Sequence, residues 1–142
     1  MTSRELAIWR SLLDTTTELQ RVLGAELQES SLSPADYQVL LALSEANGRR
    51  LRSSELARTI DWERSRLSHH LKRMEGRRLI RREECATDNR GADVILTAEG
   101  ARTFRRSTAP HMRAIKKHFA DGLTAEQFEA LAGILSAMQS HL

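Results

Sequence analysis

Between residues 64 and 73 the chain gathers Ser65, Arg66, Ser68, His69, Lys72 and Arg73. Through the same stretch Leu67, Leu71 and Met74 recur at i, i+4 and i+7, the spacing of one face of an α-helix. With those three turned to a core, the opposite face presents hydroxyls, an imidazole and long cations, and no bulky aliphatic group. Such a face donates hydrogen bonds and neutralises anions. A guanidinium at Arg66 can reach O6 and N7 of one guanine together. His69 can donate to a base acceptor or a phosphate. Ser65 and Ser68 are short enough for close approach, and Arg73 more naturally meets phosphate. The plainer reading of the same face is an ordinary solvated helix surface.

A second cluster, Asp88-Asn89-Arg90-Gly91, has the chemistry of a hairpin tip, because Asn and Gly tolerate positive φ. From there Arg90 can enter a narrow, electronegative minor groove. Asp88 can pair with an arginine and stiffen the tip, and Gly91 completes the turn. Arg81 and Arg82, in the strand leading to it, are candidate phosphate contacts. The alternative is an exposed turn whose Asp and Gly serve geometry alone.

The elements that must position these groups follow from periodicity and end signals. Leu6, Trp9, Leu12/Leu13, Leu19, Val22/Leu23 and Leu27 predict a long amphipathic helix over residues 4–28. Ser33-Pro34-Ala35-Asp36 starts a second, with a hydroxyl cap, proline at the first position and an early acid. Tyr37, Leu40, Leu41 and Leu43 line it, and Asn47-Gly48 ends it. Ser53 or Ser54 is expected to cap a short helix from Glu55 to Ile60, and either hydroxyl could also meet a phosphate. Asp61 or Glu63 is expected to cap the cationic helix, which runs to about Glu75 with Gly76 as its stop. Leu79-Ile80 opens a strand and Val94, Ile95 and Leu96 form its return. Thr97 is the expected cap of a helix from Ala98 to about Ala120, with Pro110 kinking it by removing a backbone donor. Thr124-Ala125-Glu126-Gln127 matches a capping box. Phe128, Leu131, Ile134/Leu135 and Met138 give the last helix its stripe. The expected order is α-α-α-α-β-β-α-α: a helix-turn-helix with a β-hairpin wing, flanked by terminal helices.

Charge distribution supports the placing of function. The 142 residues carry a net charge of +3. Residues 49–90 hold 13 Arg and Lys against 7 Asp and Glu, while the remainder of the chain is net acidic. Positive charge concentrated on one module is the footprint of a nucleic-acid face. Aromatic residues make up 4% of the chain, so its core must be largely aliphatic. A single cysteine, Cys85, permits no internal disulfide. The first residues, MTSRELAIWR, lack the apolar core of an export signal, and no apolar run approaches a membrane span. A cytoplasmic protein without membrane contact is expected.

The pieces together resemble the MarR family of winged helix-turn-helix regulators. The resemblance rests on SELA (54–57), WERSRLSHHLKRME (62–75), LIRR (79–82), DNRG (88–91) and VILTAEG (94–100). The Trp9 helix, the LSPADYQVL start and the APH segment (109–111) extend it over nearly the whole chain. It implies a mainly α fold with a small β-wing in one domain, residues 33–97 forming the DNA-binding region and residues 1–32 and 98–142 the dimerisation helices. It implies a homodimer on an inverted-repeat operator in double-stranded DNA, with Arg64 and the residues that follow it in the major groove and Arg90 in the minor groove. It implies a repressor of nearby genes, released by a small lipophilic or phenolic effector, with Trp9, Leu12, Leu13 and Tyr37 as candidate pocket walls. For those four, plain core or dimer contacts are the simpler role.

Other signals are weaker. His69 and His70 point about 100° apart on a helix, which suits no chelate, and His111 and His118 could share a face. No Cys/His/Asp spacing of a metal site is visible and no metal or cofactor is expected, with a metal-responsive regulator of the same fold as an alternative. Cys85 lies among Arg81, Arg82 and Arg90, opposed by Glu83 and Glu84, so a thiol switch is an alternative. A wing used only for protein contacts is another. No phosphate loop, nucleophile elbow or Ser/His/Asp arrangement is present, and an enzyme is not expected.

Overall fold

The computed structural model describes residues 1–84 and 91–142. These form six α-helices and one three-stranded antiparallel sheet: α1 (Ser3–Glu29), α2 (Pro34–Glu45), β1 (Arg50–Arg52), α3 (Ser53–Thr59), α4 (Arg64–Gly76), β2 (Ile80–Glu84), β3 (Ala92–Leu96), α5 (Ala98–His118) and α6 (Ala125–His141). The expected mainly helical winged helix-turn-helix is what the chain adopts. Two compact units emerge, one of residues 27–109 and one of residues 1–26 with 110–142.

In the unit of residues 27–109 the starts of α2 and α5 follow their signals, while Glu63 takes the capping position of α4 without a side-chain bond. Ser33 Oγ accepts the Asp36 amide and Asp36 Oδ2 accepts the Ser33 amide, both at 3.0 Å, so the two residues close the first turn of α2 reciprocally. Thr97 Oγ1 accepts the Gly100 amide at 2.9 Å and donates back to the Arg78 carbonyl at 2.6 Å, tying the start of α5 to the chain entering β2. Gly100 is required there, since a Cβ would lie 2.0 Å from the Leu79 carbonyl oxygen. The core joins Leu32, Leu40 and Leu43 to Leu56, Leu67, Leu71, Met74, Ile80 and Val94, all at most 1% exposed. It is aliphatic, as the composition requires.

Three features differ from the sequence reading. First, residues 50–52 form a strand: Arg50, Leu51 and Arg52 pair with Ile95, Val94 and Asp93, giving the order β1-β3-β2. Three residues are too few to display a period of two, and the strand exists only because β3 offers its second edge. Second, neither Ser53 nor Ser54 is the cap of α3. The strand ends at Arg52, which takes the capping position, so Ser53 is already helical; the Glu55 carboxylate accepts the Arg52 amide at 3.2 Å instead. Third, α4 continues through Gly76, and the reversal is made by Arg78 at φ 61°.

In the other unit Thr124 and Gln127 form the expected capping box (Thr124 amide to Gln127 Oε1, 2.9 Å; Gln127 amide to Thr124 Oγ1, 3.2 Å). The Phe119 and Phe128 rings lie 5.8 Å apart. Its helices leave large apolar groups in solvent: Ile8, Trp9, Leu12 and Leu13 on α1, and Phe128, Ile134, Leu135 and Met138 on α6.

Candidate nucleic-acid interface

The site is built on α4. Its Leu67, Leu71 and Met74 are buried, while Arg64, Ser65, Arg66, Ser68, His69, Lys72 and Arg73 are exposed along the opposite side. The expected two-faced helix is therefore in place. Between α4, the start of α3 and strands β2 and β3 lies a cleft of about 280 Å³, lined by Ser53, Ser54, Arg64, Leu67, Ser68, Leu71, Arg82 and Ala92. Two hydroxyls from α3, one from α4 and two guanidinium groups thus meet around an aliphatic floor. Ser53 and Ser54, displaced from capping, face this cleft, and a Cβ on Gly91 would come within 3.2 Å of Ser53 Oγ. The wing base and α3 approach closely because that position is glycine.

The arginines fall into two groups. Arg82 Nε and Nη2 donate to Glu75 Oε2 at 3.0 and 2.7 Å, and its amide donates to Glu75 Oε1 at 3.1 Å. These bonds hold the Glu75 carboxyl below its usual pKa and strut β2 against α4. Arg81 pairs with Glu83 at 3.0 Å, and Glu83 also takes Arg50 at 2.5 Å. The sheet's positive charge is thus matched locally. On α4, by contrast, Arg64, Arg66 and Lys72 pair with no carboxylate among the described residues. Cations without such partners are those an incoming polyanion recruits at least cost.

Beneath the exposed face runs a polar column that sequence reasoning missed. The Arg66 guanidinium carbon lies 4.0 Å from the centroid of the Trp62 ring. That ring meets the His70 imidazole edge-on at 5.4 Å and 77°. His70 is 7% exposed, buried beside the leucines while His69 points outward. Its Nε2 lies 3.0 Å from Asp36 Oδ1, and Arg73 Nη2 donates to its Nδ1 at 2.9 Å. Because a guanidinium can only donate, Nδ1 carries no proton and Nε2 holds it, close to the carboxylate but out of line for a hydrogen bond. Asp36, 2% exposed, also accepts Arg77 Nη1 at 2.6 Å. Burial raises the Asp36 pKa, but the Ser33 amide and the Arg77 guanidinium outweigh it and hold the carboxyl below its ordinary value. Burial pushes the His70 imidazole below its ordinary value despite Asp36. The i, i+4 spacing of Trp62 and Arg66 could have suggested the first contact. Nothing local announces the last, since Asp36 and Arg77 are 41 residues apart.

Of the remaining expectations, Asp88, Arg90 and Cys85 lie outside the described residues. Tyr37 is a core residue, its ring 5.2 Å from Phe104, whereas Trp9, Leu12 and Leu13 are 39–51% exposed on α1. No group of three metal-ligating side chains occurs among the described residues, and none of the described helices is long and apolar enough to cross a membrane.

Comparison with known proteins places this geometry. A family model described as the MarR family matches residues 30–91. AbsC, a MarR family transcriptional regulator from Streptomyces coelicolor, is 37% identical, with 99% of this chain and 95% of that one aligned and a TM-score of 0.88. Sco3205, a MarR family transcriptional regulator from the same organism solved in complex with DNA, is 38% identical over 100% of this chain and 89% of that one, also at 0.88. A MarR variant from E. coli solved with operator DNA shares the fold at 20% identity, covering 95% of each chain with a TM-score of 0.82. With identities of 37–38% across essentially its full length, and with the two-faced α4 and the wing sheet in place, this chain belongs to the MarR family of transcriptional regulators.

Proposed function

We propose that the protein is a homodimeric, sequence-specific DNA-binding repressor that recognises an inverted-repeat operator. The observation that carries the reading is the exposed row on α4, whose Arg64, Arg66 and Lys72 are without carboxylate partners among the described residues. In this reading α4 lies in the major groove, with Arg66 on a guanine and Ser65, Ser68 and His69 close to base edges or phosphates. Arg64, Lys72 and Arg73 neutralise phosphates, and the polar cleft with Ser53 and Ser54 takes the backbone alongside. Arg90, with Asp88 and Gly91 shaping its turn, takes the minor groove, and Arg81 and Arg82 lie towards the flanking phosphates. The complex of the 38%-identical Sco3205 with DNA supports the choice of partner.

The apolar groups that α1 and α6 leave in solvent support pairing with a second copy, because isolated subunits rarely expose so many. A dimer then sets half-sites about 10 base pairs apart. Release by a lipophilic or phenolic effector, seated near Trp9, Leu12 and Leu13, completes the reading. The test is titration of operator duplexes with the Arg66→Ala variant. Loss of about 1–3 kcal/mol at the guanine position is expected. Unchanged affinity and unchanged sequence preference would reject Arg66 as a base reader.

A further inference from the structure

We infer that Trp62 is a specificity-determining positioning residue: it contacts no base itself but presents the Arg66 guanidinium to one. The inference rests on the reading of Arg66 as a base reader. An arginine on an exposed helix has many rotamers of similar energy, and a bidentate contact to one guanine needs a single one of them. Ordering that side chain on binding costs affinity at the correct site, where the bidentate contact is made, unless it is ordered beforehand. In this structure a platform does the ordering. Arg66 sits 4.0 Å above the Trp62 ring, within the range of a cation–π contact, for which tryptophan offers the strongest face.

The platform is itself held from below. The Trp62 amide donates to the Ala57 carbonyl at 2.8 Å, fixing the turn between α3 and α4. Its ring packs on the core and against the edge of His70. His70 in turn is held at Nδ1 by Arg73 at 2.9 Å, and Asp36 Oδ1 lies 3.0 Å from its Nε2, out of line for a hydrogen bond. The buried Asp36 carboxylate, the imidazole, the indole and the exposed guanidinium therefore form one continuous stack. The groups facing His70 come from α2 (Asp36), from the turn before α4 (Trp62), from α4 itself (Arg73) and from its C-terminal end (Arg77).

A platform acts on discrimination, and a part that merely fills space acts on stability, so the two roles separate experimentally. The full-length protein and its Trp62→Leu, Trp62→Phe, Trp62→Tyr and Arg66→Ala variants would be titrated with a selected operator. The same operator with each base pair replaced in turn, and an unrelated duplex, complete the set. Trp62→Leu is expected to lower discrimination roughly 3- to 10-fold at the base pair that Arg66→Ala also affects, and at no other. Affinity for the unrelated duplex should stay unchanged, and Trp62→Phe and Trp62→Tyr should recover most of the loss. Combined with Arg66→Ala, Trp62→Leu should add nothing. Should the leucine variant fail to fold, a graded loss from Trp to Tyr to Phe at that same base pair carries the test. If Arg66→Ala flattens one position while every folded Trp62 variant leaves it sharp, the platform is overturned and the base reader stands. If Arg66→Ala flattens no position, the reading beneath it fails instead.

Discussion

Removing the Asp36 carboxylate should destabilise the protein by about 2–3 kcal/mol. Three interactions end on that side chain. Its acceptance of the Ser33 amide at 3.0 Å closes the first turn of α2, a contact whose loss costs about 1 kcal/mol. Its bond from Arg77 at 2.6 Å is charge-assisted, but Arg77 is 44% exposed, so water recovers much of it and about 1 kcal/mol remains. His70 Nε2, buried and 3.0 Å away but out of line for a hydrogen bond, would lose only a neighbouring charge, worth up to about 1 kcal/mol. Asp36→Ala should therefore cost about 2–3 kcal/mol, the guanidinium left behind being half in solvent. Arg77→Ala should cost at least as much, about 3 kcal/mol, because it leaves a 2% exposed carboxylate without its cation and gives up the bond to the Ser31 carbonyl. The assay is urea unfolding at pH 7 and fixed protein concentration, because pairing of subunits makes stability depend on concentration. Equal slopes would confirm that midpoints report stability. A cost below about 1 kcal/mol for either Asp36→Ala or Arg77→Ala would refute the claim that the buried carboxylate organises this corner.

Further outcomes follow from the same structure. The folded-state pKa of His70 lies below its ordinary value of 6.5, so the unfolded chain takes the proton first. Its contribution to stability should be whole above pH 6.5 and decline as pH falls below it, with a shallower decline in His70→Gln; an identical slope would place the titration elsewhere, His111 being shifted the same way by burial. Gly100→Ala should destabilise by about 2–3 kcal/mol or displace α5 from the Leu79 carbonyl, which lies 2.0 Å from the new Cβ; a melting temperature within a degree or two of the parent would contradict it. Charging the exposed stripe of α6 with Ile134→Glu and Leu135→Glu should leave the subunit folded but monomeric by sedimentation; a persistent dimer would move the pairing surface elsewhere.

How much of this could be read from the sequence depended on whether the cause was local. The two faces of α4 follow from Leu67, Leu71 and Met74 at helical spacing, and the starts of α2, α5 and α6 from the hydroxyls of Ser33, Thr97 and Thr124, each next to its partner in sequence. Strand β1 was illegible because its three residues owe their conformation to β3, more than forty positions on. Ser53 and Ser54 misled for the same reason, since the strand moves the helix start onto Ser53 and turns both hydroxyls towards the α4 cleft. Arg81 and Arg82 look like free cations in sequence, and only the folded sheet brings Glu83 and Glu75 to them. The stack from Asp36 to Arg66 crosses three elements, so a linear reading sees a histidine pair and an isolated tryptophan.

Whether a dimer reads DNA through the exposed face of α4 would be decided by selecting bound duplexes from a random library. The purified protein and its Arg66→Ala variant would be run in parallel at about 150 mM salt, where phosphate contacts alone no longer dominate. An enriched inverted repeat with half-site centres about 10 base pairs apart is expected, with loss of preference at one symmetric guanine in the variant. No enriched motif from a folded, dimeric preparation would contradict that expectation.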